Sequence, residues 1–229
     1  MSIKMVRLPL YGFIVVLAVL IGALFIYINL KDEIKKNKQI LLFYIMYIAF
    51  SFIFGKIYTS LIYNETSFIT AGLSAYGGLF GVIVAALIFE KIIPLDGKII
   101  KYSVLSLPLV YSITKIACFI GGCCSGIEYT GFFNVIYPFE MNIKQFPIQL
   151  VETIVFFVIF LVGCKLEKNK NKNVNHITLI LVAIFKFLLD YFRYEHIDTI
   201  ISRNQIFSIV LLFTLIGLML LKKLKKQEN

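Results

Sequence analysis

PLYGFIVVLAVLIGALFIYINL, residues Pro9–Leu30, is followed by the charged stretch KDEIKKNKQ and then by ILLFYIMYIAFSFIFGKIYTSLIY, residues Ile40–Tyr63. Two apolar runs of this length around a lysine-rich connector are the pattern of consecutive membrane crossings, because a span needs roughly 20 mostly apolar residues. The same reading continues along the chain at Ser67–Phe89, Tyr102–Gly122, Ile148–Gly163, His176–Tyr194 and Gln205–Leu221. The fifth and seventh segments are short, and Glu152 interrupts the fifth. Seven segments predict an all-α integral membrane protein, a bundle of seven transmembrane helices. In 229 residues they leave room for a single polytopic domain over residues 1–229 and for no soluble module.

Basic residues sort by side. The first, third and fifth connectors and the C-terminal tail hold 4, 3, 4 and 4 Lys or Arg, 15 in all. The other side holds 5, with Arg193 at the edge of the sixth segment counted there. Cytoplasmic loops carry the excess, so the N-terminus is predicted outside and the C-terminus in the cytoplasm. The tail KKLKKQEN reads as an inner-leaflet anchor, and the net charge of +10 comes mostly from such loop and tail lysines, at a depth where anionic headgroups attract them. No basic stripe lies on a soluble fold, which argues against nucleic acid as a partner. Met1–Leu30 begins basic and turns apolar as a signal peptide does, but its apolar stretch is too long and no small-x-small cleavage site follows, so it reads as a retained first span.

The chemistry lies in charges inside the segments. Ionisable groups there are costly and face a bundle interior or an aqueous cavity. Lys186, Asp190 and Arg193 follow steps of four and three, which puts them on one face of a helix. Lys115 in the fourth segment adds a third cation, and Lys56 in FGKIY is central enough to join them. Such an excess of positive charge suits an anionic ligand, phosphate held by Lys115, Lys186 and Arg193 with Asp190 orienting them; the alternative is an ion ladder satisfied within the protein. Gln149 and Glu152 share a face at the start of the fifth segment, Glu152 near the outer boundary. Gly77 and Gly81, and again Gly122 and Gly126, stand in small-xxx-small spacing, which lets helices approach closely or opens room for a lipid headgroup. Of the four cysteines, Cys118, Cys123 and Cys124 lie near the outer end of the fourth segment and Cys164 lies far from them. A vicinal Cys123–Cys124 disulfide would be strained, and CxxxxCC matches no standard zinc spacing. They therefore read as small apolar residues, and no metal or cofactor is expected.

The order of these pieces resembles the bacterial prolipoprotein diacylglyceryl transferase family. LYG at Leu10–Gly12, FGKIY at Phe54–Tyr58, AYGGLFG at Ala75–Gly81, KIACFIGGCCSG at Lys115–Gly126, FPIQLVE at Phe146–Glu152, KFLLDYFR at Lys186–Arg193 and ISRNQIFSI at Ile201–Ile209 are similar, in sequence order, to that family's motifs. The resemblance implies seven spans, a bacterial cytoplasmic membrane location, and transfer of a diacylglyceryl group from phosphatidylglycerol to a lipobox cysteine of a prolipoprotein. It places Tyr76, Lys115, Glu152 and Asp190 in catalytic roles, with Tyr76 or Glu152 relaying the thiol proton. It places Tyr11, Gly77, Gly78, Lys115, Gly126, Gln149, Lys186 and Arg193 around the lipid headgroup. The chain departs from the pattern where Tyr76 and Phe146 replace histidines, Lys115 and Lys186 replace arginines, Cys118 replaces asparagine and Cys123 replaces glutamate, so that it is most similar to a divergent branch with a Cys-Cys pair. Three other classes compete: a lipid-binding paralogue of altered specificity or without catalysis, a transporter, and a redox role for the outer cysteines. Transport is disfavoured because no inverted repeat and no pair of Pro-broken helices is visible.

Overall fold

The computed structural model describes residues 3–34, 37–63, 68, 72–137, 143–194 and 199–227. Seven helices are found among them: α1 (Ile3–Leu30), α2 (Asn37–Tyr63), α3 (Ala75–Ile92), α4 (Lys98–Gly121), α5 (Ile148–Lys168), α6 (Val174–Asp190) and α7 (Arg203–Gln227). A two-stranded antiparallel ribbon, β1 (Val135–Ile136) and β2 (Lys144–Gln145), precedes α5, with Val135 opposite Gln145 and Ile136 opposite Lys144.

Six of these helices are long and apolar enough to cross a membrane. The exception is α6, which is shorter than the other six. The sixth segment, predicted to run to Tyr194, stops at Asp190 after 17 residues, about 26 Å of helix at 1.5 Å per residue. The fifth segment is instead longer than predicted, 21 residues to Lys168, because Lys165 and Lys168 complete its last turn, where cations complement the helix C-terminus. The predicted start of the third segment at Ser67 lies outside the described residues, and its helix begins at Ala75.

The polarity of α5 is inverted relative to a water-soluble helix. Ile154, Phe157, Val158 and Leu161 point outward, while Gln149, Glu152, Phe156 and Ile159 are buried. An apolar exterior around a polar interior is what a hydrocarbon solvent selects.

The chain divides into two compact units, Val16–Tyr111, and Met1–Val15 with Ser112–Asn229. In the first, α2 and α3 pack backbone to backbone. A Cβ on Gly77 would come 2.3 Å from the Phe54 carbonyl oxygen, and one on Gly81 would come 2.2 Å from that of Phe50. Only glycine permits this approach. The tyrosine hydroxyl of Tyr47, fully buried, shares a 2.9 Å hydrogen bond with Ser106 Oγ. Glu90 caps the start of α4: its Oε1 accepts from the Leu95 and Gly97 amides at 2.7 and 2.9 Å, and its Oε2 from Ile99 at 3.2 Å. A carboxylate there meets the unsatisfied amides and positive end of the helix.

The second unit holds α5, α6, α7 and the ribbon. The ribbon continues into the ends of the helices: Tyr129 donates its amide to the Lys144 carbonyl at 2.8 Å, Phe146 to Ile127 at 3.0 Å, and Ile127 to Phe192 at 3.0 Å.

A buried ion cluster beneath a cysteine turn

Helix α4 ends in a Schellman motif. The Cys123 amide reaches the Cys118 carbonyl at 3.1 Å and the Gly122 amide reaches that of Phe119 at 3.3 Å, with Gly122 at φ 69°. The left-handed conformation at this position is the reason for glycine. Gly122 and Gly126 therefore do not form the helical small-xxx-small pair expected from their spacing, since the helix has ended. Cys124 follows at φ 55°, a conformation disfavoured for a residue with a side chain. The reversal brings the sulfurs of Cys118, Cys123 and Cys124 within 4.8 Å of one another, although their linear spacing gave no sign of it.

Gly126 then pairs with Arg193 as an isolated antiparallel bridge, and the Tyr194 amide donates to the Ser125 carbonyl at 3.0 Å. A Cβ on Gly126 would meet the Phe146 carbonyl oxygen at 2.1 Å. Gly126→Ala must push the Phe146 backbone and the turn apart. Overpacking of this kind costs about 1–3 kcal/mol. The expected outcome is a bundle that stays helical by circular dichroism and melts earlier. An unchanged melting temperature would show that the close approach at Gly126 does not support the fold.

One helical turn inward from Cys118 the ions converge. Glu152 on α5 is wholly buried. Its Oε2 lies 2.8 Å from Lys115 Nζ, and its Oε1 lies 2.7 Å from Arg193 Nη2 and 3.3 Å from Lys186 Nζ. Arg193 Nε also faces Asp190 Oδ1 at 3.6 Å. Lys115, Lys186, Asp190 and Arg193 are each at most 5% exposed. Two expectations change here. Glu152, expected near the outer boundary, is the buried centre of the cluster. Arg193 is not on the α6 face with Lys186 and Asp190, because α6 ends at Asp190; a turn and the Gly126 bridge bring its guanidinium back to the same place.

The surrounding polar groups are ordered in a second tier. Gln149, one turn before Glu152, donates from Nε2 to the Cys123 carbonyl at 2.8 Å and accepts from the Tyr137 hydroxyl at 2.9 Å. Thus α4 and α5 face each other through two rungs, Cys123 to Gln149 and Lys115 to Glu152. Tyr11 lies over the end of α4, where a Cβ on Gly121 would touch its ring at 3.1 Å. Phe146 packs between Tyr129 and Phe192, with ring centroids 5.4 and 5.7 Å away. Ser202 and Gln205 were not singled out as site residues from the sequence. The Ser202 hydroxyl donates to Asp190 Oδ2, its amide donates to Gln205 Oε1 at 2.9 Å, and Gln205 Nε2 donates to the Phe187 carbonyl at 3.2 Å. The signal was present as Ser202, Gln205 and Ser208, polar residues three apart at the start of an apolar segment.

Tyr76, Gly77, Gly78 and Lys56 belong to the other unit. There Tyr76 lies beside Tyr58, with centroids 6.5 Å apart. The space beside Gly77 is filled by α2. Lys56 donates to the Phe68 carbonyl at 3.2 Å.

Residues 1–221 match the family model described as prolipoprotein diacylglyceryl transferase. The chain belongs to the prolipoprotein diacylglyceryl transferase family. It is also similar to a protein of Clostridium perfringens (strain 13 / Type A) named phosphatidylglycerol--prolipoprotein diacylglyceryl transferase 2, with 29% identity over 133 residues, 54% of this chain and 50% of that one. The match thus spans about half of that relative's length. Within the family pattern, the signature segment Lys115–Gly126, FPIQLVE, KFLLDYFR, ISRNQIFSI and Tyr11 all fall in one unit, around one ion cluster.

Proposed function

We propose that this chain is a diacylglyceryl transferase of the bacterial cytoplasmic membrane, moving a diacylglyceryl group from phosphatidylglycerol to the lipobox cysteine of a prolipoprotein. The observation that carries the reading is the cluster of Lys115, Lys186 and Arg193 against Glu152 and Asp190, three buried cations to two buried carboxylates. One positive charge is left over in a low-dielectric site, where it is worth far more than in water. The reaction asks for this. A thiol loses its proton and attacks a glycerol carbon, and the C–O bond breaks with its electron pair leaving on a phosphate monoester. Charge develops on the phosphate as the bond breaks, and donors already held in place stabilise it without reorganising.

In this reading Arg193 grips the phosphate with its planar fork and the lysines act as point charges. Glu152 holds the three cations together while the site is empty, and Asp190, fixed by Ser202, orients Arg193. Gln149 and Tyr11 line the approach to the headgroup. The proton relay is Glu152 or Tyr76, and Gly77 and Gly78 adjoin Tyr76 in its own unit.

The test is a mass spectrum of a lipobox peptide after incubation with the purified chain and phosphatidylglycerol. A gain of one diacylglyceryl group on cysteine is expected, and none with a Ser peptide. One observation favours a second reading, a lipid-binding paralogue: each of the three cations already touches Glu152. That reading predicts lipid binding with an unmodified peptide in the same experiment.

The same proposal includes the topology, seven crossings with the N-terminus outside. A reporter fused after Asn229 is expected to be active only as a cytoplasmic enzyme. Activity of an export-dependent reporter at that position contradicts the orientation.

A further inference from the structure

The cysteine turn is not used by the ion cluster, yet three features set it apart from buried apolar cysteines. Three sulfurs lie within 4.8 Å of one another, close enough for small side-chain adjustments to bring them to the roughly 3.8 Å spacing of thiolates bound tetrahedrally to one zinc at about 2.3 Å. Cys118 is buried while Cys123 and Cys124 are half-buried, so the group has a closed side and an accessible side. Cys124 is held in the left-handed region at φ 55°, and a side-chain-bearing residue stays in such a conformation only where its surroundings over-determine it. Its neighbourhood also suits thiolates. Lys115 stands one turn before Cys118 on α4, and Gln149 holds the Cys123 carbonyl from α5.

We propose that the thiolates of Cys118, Cys123 and Cys124 hold a zinc ion whose fourth position takes up the acceptor cysteine thiol. Structural zinc sites close with four protein ligands, whereas catalytic ones keep three and leave a position open. Among the described residues this group offers three. A thiol that coordinates zinc is deprotonated outright, which supplies the thiolate the transfer needs. The inference rests on the transferase reading above and adds the activation of its acceptor. In the step, the acceptor S–H proton leaves to solvent as sulfur binds the metal. The bound sulfur then donates an electron pair to the glycerol carbon, the C–O bond breaks, and the phosphate monoester departs with that pair. The thioether product is neutral and a weaker zinc ligand, so it dissociates. The three cysteines act only as ligands. A diacylglyceryl group placed on one of them would be a stable thioether with no means of onward transfer.

The test uses the full chain purified in detergent, loaded with zinc or cobalt(II) and freed of excess metal. One zinc per chain is expected in the wild type and none in C118S/C123S/C124S. Cobalt(II) is expected to give a thiolate charge-transfer band that a chelator removes from the wild type and reloading restores, a readout independent of whether the triple variant folds. A short peptide with a single cysteine is expected to intensify the band, and its Ser counterpart to leave it unchanged. Absence of the cobalt band in the wild type, or zinc content equal in the triple variant, overturns the site. A band indifferent to the cysteine peptide overturns the open position. Transfer measured in parallel separates the two proposals. Zinc and thiol binding without transfer sinks the transferase reading alone, and transfer at full rate by the chelated, metal-free chain sinks the zinc role alone.

Discussion

Glu152→Ala is expected to destabilise the chain more than any other single substitution in the site. The carboxylate is the shared partner of Lys115, Lys186 and Arg193, and all three cations are almost fully buried. Removing one partner of a buried ion pair costs about 3–5 kcal/mol, since an uncompensated charge is left behind. Here three like charges lose their common counter-ion at once, against a total stability of about 5–15 kcal/mol for an ordinary domain. The measurement is thermal unfolding in detergent, followed by helical circular dichroism. A collapse of the melting temperature is expected for Glu152→Ala and a smaller loss for Glu152→Gln, which keeps an acceptor oxygen. Glu33→Ala is the control. It breaks the exposed Lys98–Glu33 pair at 2.8 Å, where side-chain entropy and solvent screening cancel most of the attraction, and it is expected to melt with the wild type. A Glu152→Ala chain that also melts with the wild type would mean the cations do not depend on this carboxylate.

Arg193→Ala is expected to slow transfer, and to weaken phosphatidylglycerol binding, by about one to two powers of ten. A hydrogen bond with an ionised partner contributes about 1.5–3 kcal/mol, and each 1.4 kcal/mol is tenfold. Arg193 is the cation of the cluster able to bind a phosphate through two parallel donors, so its loss is expected to exceed that of Lys186→Ala. Arg193→Lys restores the charge but not the fork, and is expected to recover only part of the rate. Equal rates for Arg193→Lys and the wild type would show that charge alone suffices. Asp190→Asn keeps the Arg193 cation and is expected to disturb catalysis more than binding, because Asp190 orients the guanidinium.

Much of the membrane architecture was legible in the sequence, because a bilayer imposes length and polarity rules that act on each segment separately. What escaped was where helices stop. Leu188 to Tyr194 reads as a continuation of the helix that carries Asp190 and Arg193, yet α6 ends at Asp190. The competing interaction is a backbone bridge from Arg193 to Gly126, more than sixty residues earlier in the chain, and no local pattern announces a long-range pairing. The same holds at Gly122, where one glycine in the left-handed region converts a small-residue stripe into a turn. The charged residues of the cluster were legible one by one, since each is expensive in an apolar segment. Their mutual arrangement was legible only in part: the cations were expected to meet on a ligand, and in the structure they meet on Glu152, a residue whose position near a segment end disguised its depth. Ser202 and Gln205 were overlooked because uncharged polar residues at a helix start ordinarily serve as caps.

The most direct measurement is the preference for anionic over zwitterionic lipid in the wild type, Lys115→Ala, Arg193→Ala and the double variant. The purified chain is titrated with phosphatidylglycerol and with phosphatidylcholine. The account predicts a clear preference for phosphatidylglycerol in the wild type, reduced in each single variant and abolished in the double. A preference that is the same in all four proteins would contradict it, and would mean that the cluster serves the protein's own packing and not the headgroup phosphate.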